Sequence, residues 1–149
     1  MRLIFADTLY WIAIFLPDDS WASAARTVPL LGARLVTTEE VLTEFLTAVS
    51  AYGDRTRVLA CHLVREILND PAVEVLPQSH ESFLAGLALY EHRPDKNYSL
   101  TDCISMNVMK RLGIREVLSN DRHFEQDASW QAAGSRPCPE ITLKSGNLP

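Results

Sequence analysis

The chain has 149 residues, of which 47% are hydrophobic and 22% charged, a globular composition that excludes a disordered chain. Its formal charge of −5 counts against a polyanionic partner, although acids gathered at a functional site would account for part of that charge. The three cysteines, Cys61, Cys103 and Cys138, have no CxxC spacing, so they suit a reducing compartment better than a disulfide framework.

The first half of the chain alternates short apolar strands with helices. Residues 3–6 are apolar and bounded by charge, which is typical of a buried parallel strand. Further elements are predicted in chain order as helices at residues 8–16 and 20–31, a strand at 35–36, and a helix that ends at Gly53. Thr37 and Glu40 have the spacing of a capping box, which predicts that this last helix begins there.

The second half continues the alternation. Its predicted elements are helices at residues 54–68, 82–90 and 99–112, with strands at 73–76 and 116–118. Strands that alternate with helices predict a parallel sheet with both faces covered. We expect one domain over residues 1–149, with a polar and loosely held tail from about residue 127, where residues 141–143 offer a further edge strand.

Four acidic residues lie where such a fold brings distant segments together. Asp7 follows the first strand, Glu44 and Asp102 lie in helices, and Asp121 follows the last strand. Ligands of open α/β sheets bind outside the carboxyl ends of the strands, so these side chains are predicted to meet there. Gathered carboxylates raise one another's pKa unless cations neutralise them. Oxygen ligands favour Mg²⁺ or Mn²⁺ over zinc, and such ions promote phosphodiester cleavage.

Each acid also has a purely structural interpretation. Asp7 has the position of a helix cap, and Glu44 lies at the flank of an apolar helical stripe, where a solvated carboxylate is common. Asp102 forms a capping-box pattern with Ser99, and Asp121 has a neighbouring arginine with which to pair. A purely structural interpretation would have to be correct for all four acids at once. A single acidic site that the four residues share is therefore favoured.

Segments around the four acids resemble a known family. Residues 5–8, 35–44, 98–106 and 117–124 are similar to the corresponding motifs of PIN domains, and in particular to the VapC-type ribonucleases of toxin–antitoxin pairs. The resemblance covers roughly residues 2–126 and departs from the family after residue 126, where this chain is polar. It implies a three-layer α/β/α fold around a parallel sheet of four or five strands.

The resemblance also implies an activity and a set of site residues. The activity is endonucleolytic cleavage of RNA that depends on Mg²⁺ or Mn²⁺. The catalytic residues and metal ligands would be Asp7, Glu44, Asp102 and the more variable fourth acid, Asp121, with Thr8 and Asn120 as supporting residues. Basic residues expected near the RNA backbone are Arg93, Lys96, Lys110, Arg111, Arg115 and Arg122.

The implied partners are an RNA substrate, a cognate antitoxin protein and a second copy of the chain. We expect a cytoplasmic protein, since no apolar stretch approaches the roughly eighteen residues of a membrane span. The alternative is a non-catalytic PIN-like module that binds nucleic acid or acts as a scaffold. A phosphatase with Asp7 as nucleophile is disfavoured, because the second aspartate of the haloacid-dehalogenase pattern is replaced here by Leu9.

Overall fold

Four parallel strands form the centre of the protein, whose computed structural model describes residues 1–119. They are β1 (Arg2–Ala6), β2 (Ala33–Thr38), β3 (Val73–Leu76) and β4 (Glu116–Leu118), and their order in the sheet is β3-β2-β1-β4. Ile4, Phe5 and Ala6 are all buried although successive strand residues point to opposite faces, so both faces of β1 are covered. The predicted α/β class is confirmed.

Six helices connect and cover the strands within the described part of the chain. They are α1 (Thr8–Phe15), α2 (Ala22–Arg26), α3 (Glu39–Val49), α4 (Asp54–Asn69), α5 (His80–His92) and α6 (Leu100–Leu112). A 3₁₀ turn at Ser50–Tyr52 joins α3 to α4, and Gly53 supplies the positive φ of +95° that ends it. None of the helices in residues 1–119 is long and apolar enough to cross a membrane.

Two differences between the predicted elements and the structure have a clear physical reason. The helix predicted at residues 20–31 is reduced to the five residues of α2, in keeping with Pro29, because the residue before a proline is biased away from helical geometry. Thr38 caps α3, where Thr37 was predicted to do so, and its Oγ1 accepts a bond from the backbone N–H of Val41 at 3.2 Å. The cap lies one residue later because β2 continues to pair with β3 through Thr38, opposite Leu76.

The helices next to the sheet ends are held by aromatic packing and buried hydrogen bonds. The rings of Phe15 on α1 and Phe45 on α3 meet edge to face with centroids 5.5 Å apart. Trp11 Nε1 donates to Thr37 Oγ1 at 3.3 Å, and that hydroxyl donates to the carbonyl of Ala6 at 2.9 Å. The carboxyl ends of β1 and β2 are thereby tied to α1.

Several predictions concern residues outside those described. These are the fourth acid Asp121, the supporting residue Asn120, the cation Arg122, the polar tail and the edge strand at residues 141–143.

Candidate functional site

The strand order defines where a ligand crevice opens. The chain passes from β1 to β2 and β3 on one side, then crosses to β4 on the other side of β1. In open α/β sheets ligands bind outside the carboxyl ends of the strands at this point of reversal, here between β1 and β4. Asp7 follows β1 directly and Ser119 follows β4 directly, so both lie at the mouth of the crevice.

Asp7 is fixed at this point by its backbone and by its side chain. Its N–H donates to the carbonyl of Leu118 at 3.1 Å, and its own carbonyl accepts from Tyr10 N–H at 3.1 Å. Although Asp7 occupies the N-cap position of α1, its side chain makes no capping hydrogen bond. Its Oδ2 instead accepts a bond from Ser119 Oγ at 2.8 Å. Helix capping therefore does not account for this carboxylate.

The environment of Asp7 favours the protonated form. Its side chain is 3% exposed, and this burial is the main cause that raises its pKa to about 7. Hydrogen bonds from the Ser119 hydroxyl and the Thr8 backbone lower the pKa, whereas the charges of Asp102 and Glu44 raise it further. The charges of two other predicted acids, Asp102 and Glu44, therefore both reach Asp7 at this end of the sheet.

Asp102 has a structural role as well as a place near the site. Its Oδ2 accepts from the Ser99 N–H at 2.9 Å, and its own N–H donates to Ser99 Oγ at 3.0 Å, which completes a reciprocal capping box. The residue is 6% exposed at the start of α6, a helix with seven buried residues. Because a carboxylate has two oxygens that each accept several bonds, capping remains compatible with metal binding.

Glu44 differs from the other two glutamates of α3. Glu39 accepts a bond from the Gln78 N–H at 2.8 Å, and Glu40 accepts from Ser82 Oγ at 3.1 Å, so both tie α3 to the segment that begins α5. Glu44 is partly buried, and its charge acts on Asp7. Of these three glutamates, Glu44 is thus the one whose charge reaches Asp7.

Thr8 and Ser119 supply hydroxyl groups beside Asp7. The Thr8 side chain is 5% exposed, and its Oγ1 has no hydrogen-bond partner among the described residues. Sequence reasoning selected Thr8 but missed Ser119. A signal was present, since Ser119 directly follows its strand just as Asp7 follows β1. The pairing of Ala6 with Leu118 was needed to show that the two residues are neighbours.

The donor atoms at the site suit a hard divalent cation, because they are carboxylate and hydroxyl oxygens. Within residues 1–119, however, no three His, Cys, Asp or Glu side chains are grouped closely enough to hold one metal ion. Like charges that face one another without a counter-ion are expected to stay apart.

The predicted phosphate-binding cations are distributed unevenly. Arg93 forms an ion pair with Asp95 in the same loop, with Nε and Oδ1 3.0 Å apart. Arg111 on α6 lines a cleft of about 330 Å³ at the carboxyl ends of β2 and β3, together with Thr38 and Asn107. Arg111 is therefore a cation positioned at the same edge of the sheet as the acids.

Comparison with known proteins agrees with this architecture. The PIN domain family matches residues 4–128, and the chain belongs to that family. Among solved structures, VapC20 of Mycobacterium tuberculosis has a similar fold, with a TM-score of 0.67 and 24% sequence identity. The match covers 89% of this chain and 96% of VapC20, which is described as a toxin that cleaves the sarcin–ricin loop. No curated protein matches the chain significantly.

Proposed function

We propose that the protein is a Mg²⁺- or Mn²⁺-dependent endoribonuclease and the toxin of a type II toxin–antitoxin pair. Asp7, Glu44, Asp102 and Asp121 are the proposed metal ligands and catalytic residues, with Thr8 and Asn120 in support. The observation that carries the proposal is the position of Asp7, a buried carboxylate that follows β1 at the reversal point of the sheet, where the charges of Glu44 and Asp102 act on it. Membership of the PIN family and the fold shared with VapC20 support the same activity.

Asp7, the bound cation and Thr8 would have different roles at the site. Asp7 would bind a cation in its ionised form, and because its pKa is about 7 it loses its proton readily near neutral pH. When bound, the cation would make a water more acidic and stabilise negative charge on the phosphodiester. The Thr8 hydroxyl, which is buried and has no partner among residues 1–119, would support the site by donating a hydrogen bond once the site is occupied.

A bound divalent cation would offset the mutual repulsion of the carboxylates proposed to hold it, which are Asp7, Glu44 and Asp102. Asp121 would complete the ligand set from the segment that follows β4. Arg111 would contact the RNA backbone from the cleft beside β2.

The proposed partners are RNA and a cognate antitoxin protein in the cytoplasm, together with a second copy of the chain.

The outer surface of α5 is the proposed dimer face, because Gly86 is its one buried residue while Phe83, Leu84 and Tyr90 are about half exposed. Light scattering after gel filtration should show a dimer that Leu84→Glu converts to monomer. The exposed Val58 on α4 offers a matched control, Val58→Glu. A monomeric native protein, or a dimer unaffected by Leu84→Glu, would refute this part of the proposal.

The enzyme proposal is tested with the purified protein and a panel of structured RNAs in Mg²⁺, Mn²⁺ or EDTA. We expect endonucleolytic products with either cation and none with EDTA. Cleavage that persists in EDTA would contradict a metal-dependent mechanism.

A second candidate function is a non-catalytic module that binds nucleic acid or acts as a scaffold. The observation that favours it is that no three metal-ligating side chains are grouped together within residues 1–119. This candidate predicts RNA binding that neither cation affects and that leaves the RNA intact.

A further inference from the structure

Two successive residues at the end of β4 hold Asp7 by different groups. The Leu118 carbonyl accepts from the Asp7 N–H at 3.1 Å and fixes the main chain. The Ser119 hydroxyl donates to Asp7 Oδ2 at 2.8 Å and fixes the carboxyl group. Ser119 is 1% exposed, so little water competes for its hydroxyl.

This contact has the geometry of support for a metal ligand. A hydroxyl that donates to a carboxylate makes a strong, charge-assisted hydrogen bond. Because the bond engages one oxygen and restricts rotation of the carboxyl group, it sets the direction in which the other oxygen points. Groups that orient ligands in this way commonly change metal affinity 10- to 100-fold when they are removed.

We propose that Ser119 is a positioning residue for Asp7, which holds Oδ2 and directs the remaining carboxylate oxygen toward the divalent cation. This inference rests on the proposed function, since it requires Asp7 to be a metal ligand. It adds to the site a residue from the end of β4 that does not itself bind the cation. The backbone bond to Leu118 cannot replace it, because that bond does not engage the carboxyl group. The Thr8 backbone also bonds the carboxyl group, and that bond is retained when the Ser119 side chain is changed.

The chain offers a matched control for the removal of a buried serine hydroxyl. Ser105 on α6 is fully buried, but its Oγ has no hydrogen-bond partner among the described residues. Ser105→Ala therefore deletes the same atom as Ser119→Ala without deleting a bond to an acid. Ser119→Thr keeps the hydroxyl, and Ser119→Cys keeps the size of the side chain but donates more weakly.

The experiment is titration of Mn²⁺ into each folded, full-length variant by calorimetry at pH 8, with RNA cleavage measured in parallel. We expect Ser119→Ala to raise the Kd for Mn²⁺ about 10- to 100-fold. Ser119→Thr and Ser105→Ala should stay within about threefold of the native protein, and Ser119→Cys should fall between. If Ser119→Ala does not fold, the ordering of the Cys and Thr variants still decides the question.

Two results would overturn the inference, and they differ in what they imply. An unchanged Kd in both Ser119→Ala and Ser119→Cys, with tight binding by the native protein, would refute the role of Ser119 and leave the proposed metal site intact. No Mn²⁺ binding by the native protein would refute the proposed function and this inference together.

Discussion

The starts of α1 and α6 carry aspartates that look alike in sequence but are used differently. Asp102 completes a capping box with Ser99, so the helix itself accounts for one of its oxygens. Asp7 occupies a cap position but its side chain makes no capping bond, and it is held instead by Ser119, the residue that follows β4. The fold stabilises Asp102 locally, whereas it places Asp7 in an environment that opposes its charge.

Under the proposed function, this difference predicts that Asp7 depends on a bound cation more than Asp102 does. A buried carboxylate without a cation normally adopts a raised pKa, as Asp7 does at about 7. A cation at the site would favour its ionised form. Substitution of the two aspartates should therefore have similar effects on catalysis and opposite effects on stability.

The largest expected effect is on RNA cleavage. Asp7→Asn and Asp102→Asn should each lower the rate on the order of 1,000-fold or more, since both are proposed to hold the same cation. Asp54→Asn provides a control, because Asp54 is an exposed acid in the first turn of α4. Single-turnover cleavage by variants with native circular dichroism measures the effect. Retention of native rates by either site variant would remove that residue from the site.

The next effect is on the stability of the metal-free protein. The pKa of Asp7 in the folded protein is about 7, above its ordinary value of 3.8, so the folded state holds the proton more tightly than the unfolded state does. The folded protein therefore loses stability as the pH rises from about 3.8 to about 7. Asp7→Asn removes this penalty and should stabilise the protein by up to about 4 kcal/mol at pH 8, with a smaller gain at pH 5.

Urea unfolding in EDTA at pH 5 and pH 8 measures this difference in the free energy of unfolding. An Asp7→Asn variant less stable than the native protein at pH 8 would show that the hydrogen bonds to ionised Asp7 outweigh the cost of burying its charge.

The smallest effect concerns the cap of α6. Asp102→Ala should destabilise the protein by about 1 kcal/mol, measured at pH 5 where repulsion between Asp102 and Asp7 is reduced. Ser99→Ala should cost a similar amount, and the double variant should cost less than the sum because the two side chains share one motif. Strict additivity in this double-mutant cycle would contradict the reciprocal cap.

Much of the fold was predictable because its signals are local. The strands β3 and β4 were predicted with their observed ends, since residues 73–76 alternate before Pro77 and the apolar pair Val117 and Leu118 follows the helix that ends at Gly113. Ser99 and Gly113 marked both ends of α6, where Gly113 adopts a left-handed φ of +66°. The helix α2 was overestimated because apolar residues continue past Arg26, although Pro29 argues against a longer helix.

The site was less predictable because its geometry depends on strand order. Local patterns indicated Asp7, Glu44 and Asp102, and they also indicated the cap made by Asp102. They contained no information that β4 lies beside β1, and for that reason they did not identify Ser119. A parallel neighbour can be any strand of the sheet, so the contact between Ser119 and Asp7 appears only once the order is known.

The central claim is that Asp7, Glu44 and Asp102 form one divalent-cation site. Its most direct test is calorimetric titration of Mn²⁺ at pH 8 into the native protein and the variants Asp7→Asn, Glu44→Gln and Asp102→Asn, with Asp54→Asn as control. We expect the native and control proteins to bind Mn²⁺ and each of the other three variants to lose affinity markedly. Native binding that survives all three substitutions, or no binding at all, would contradict it.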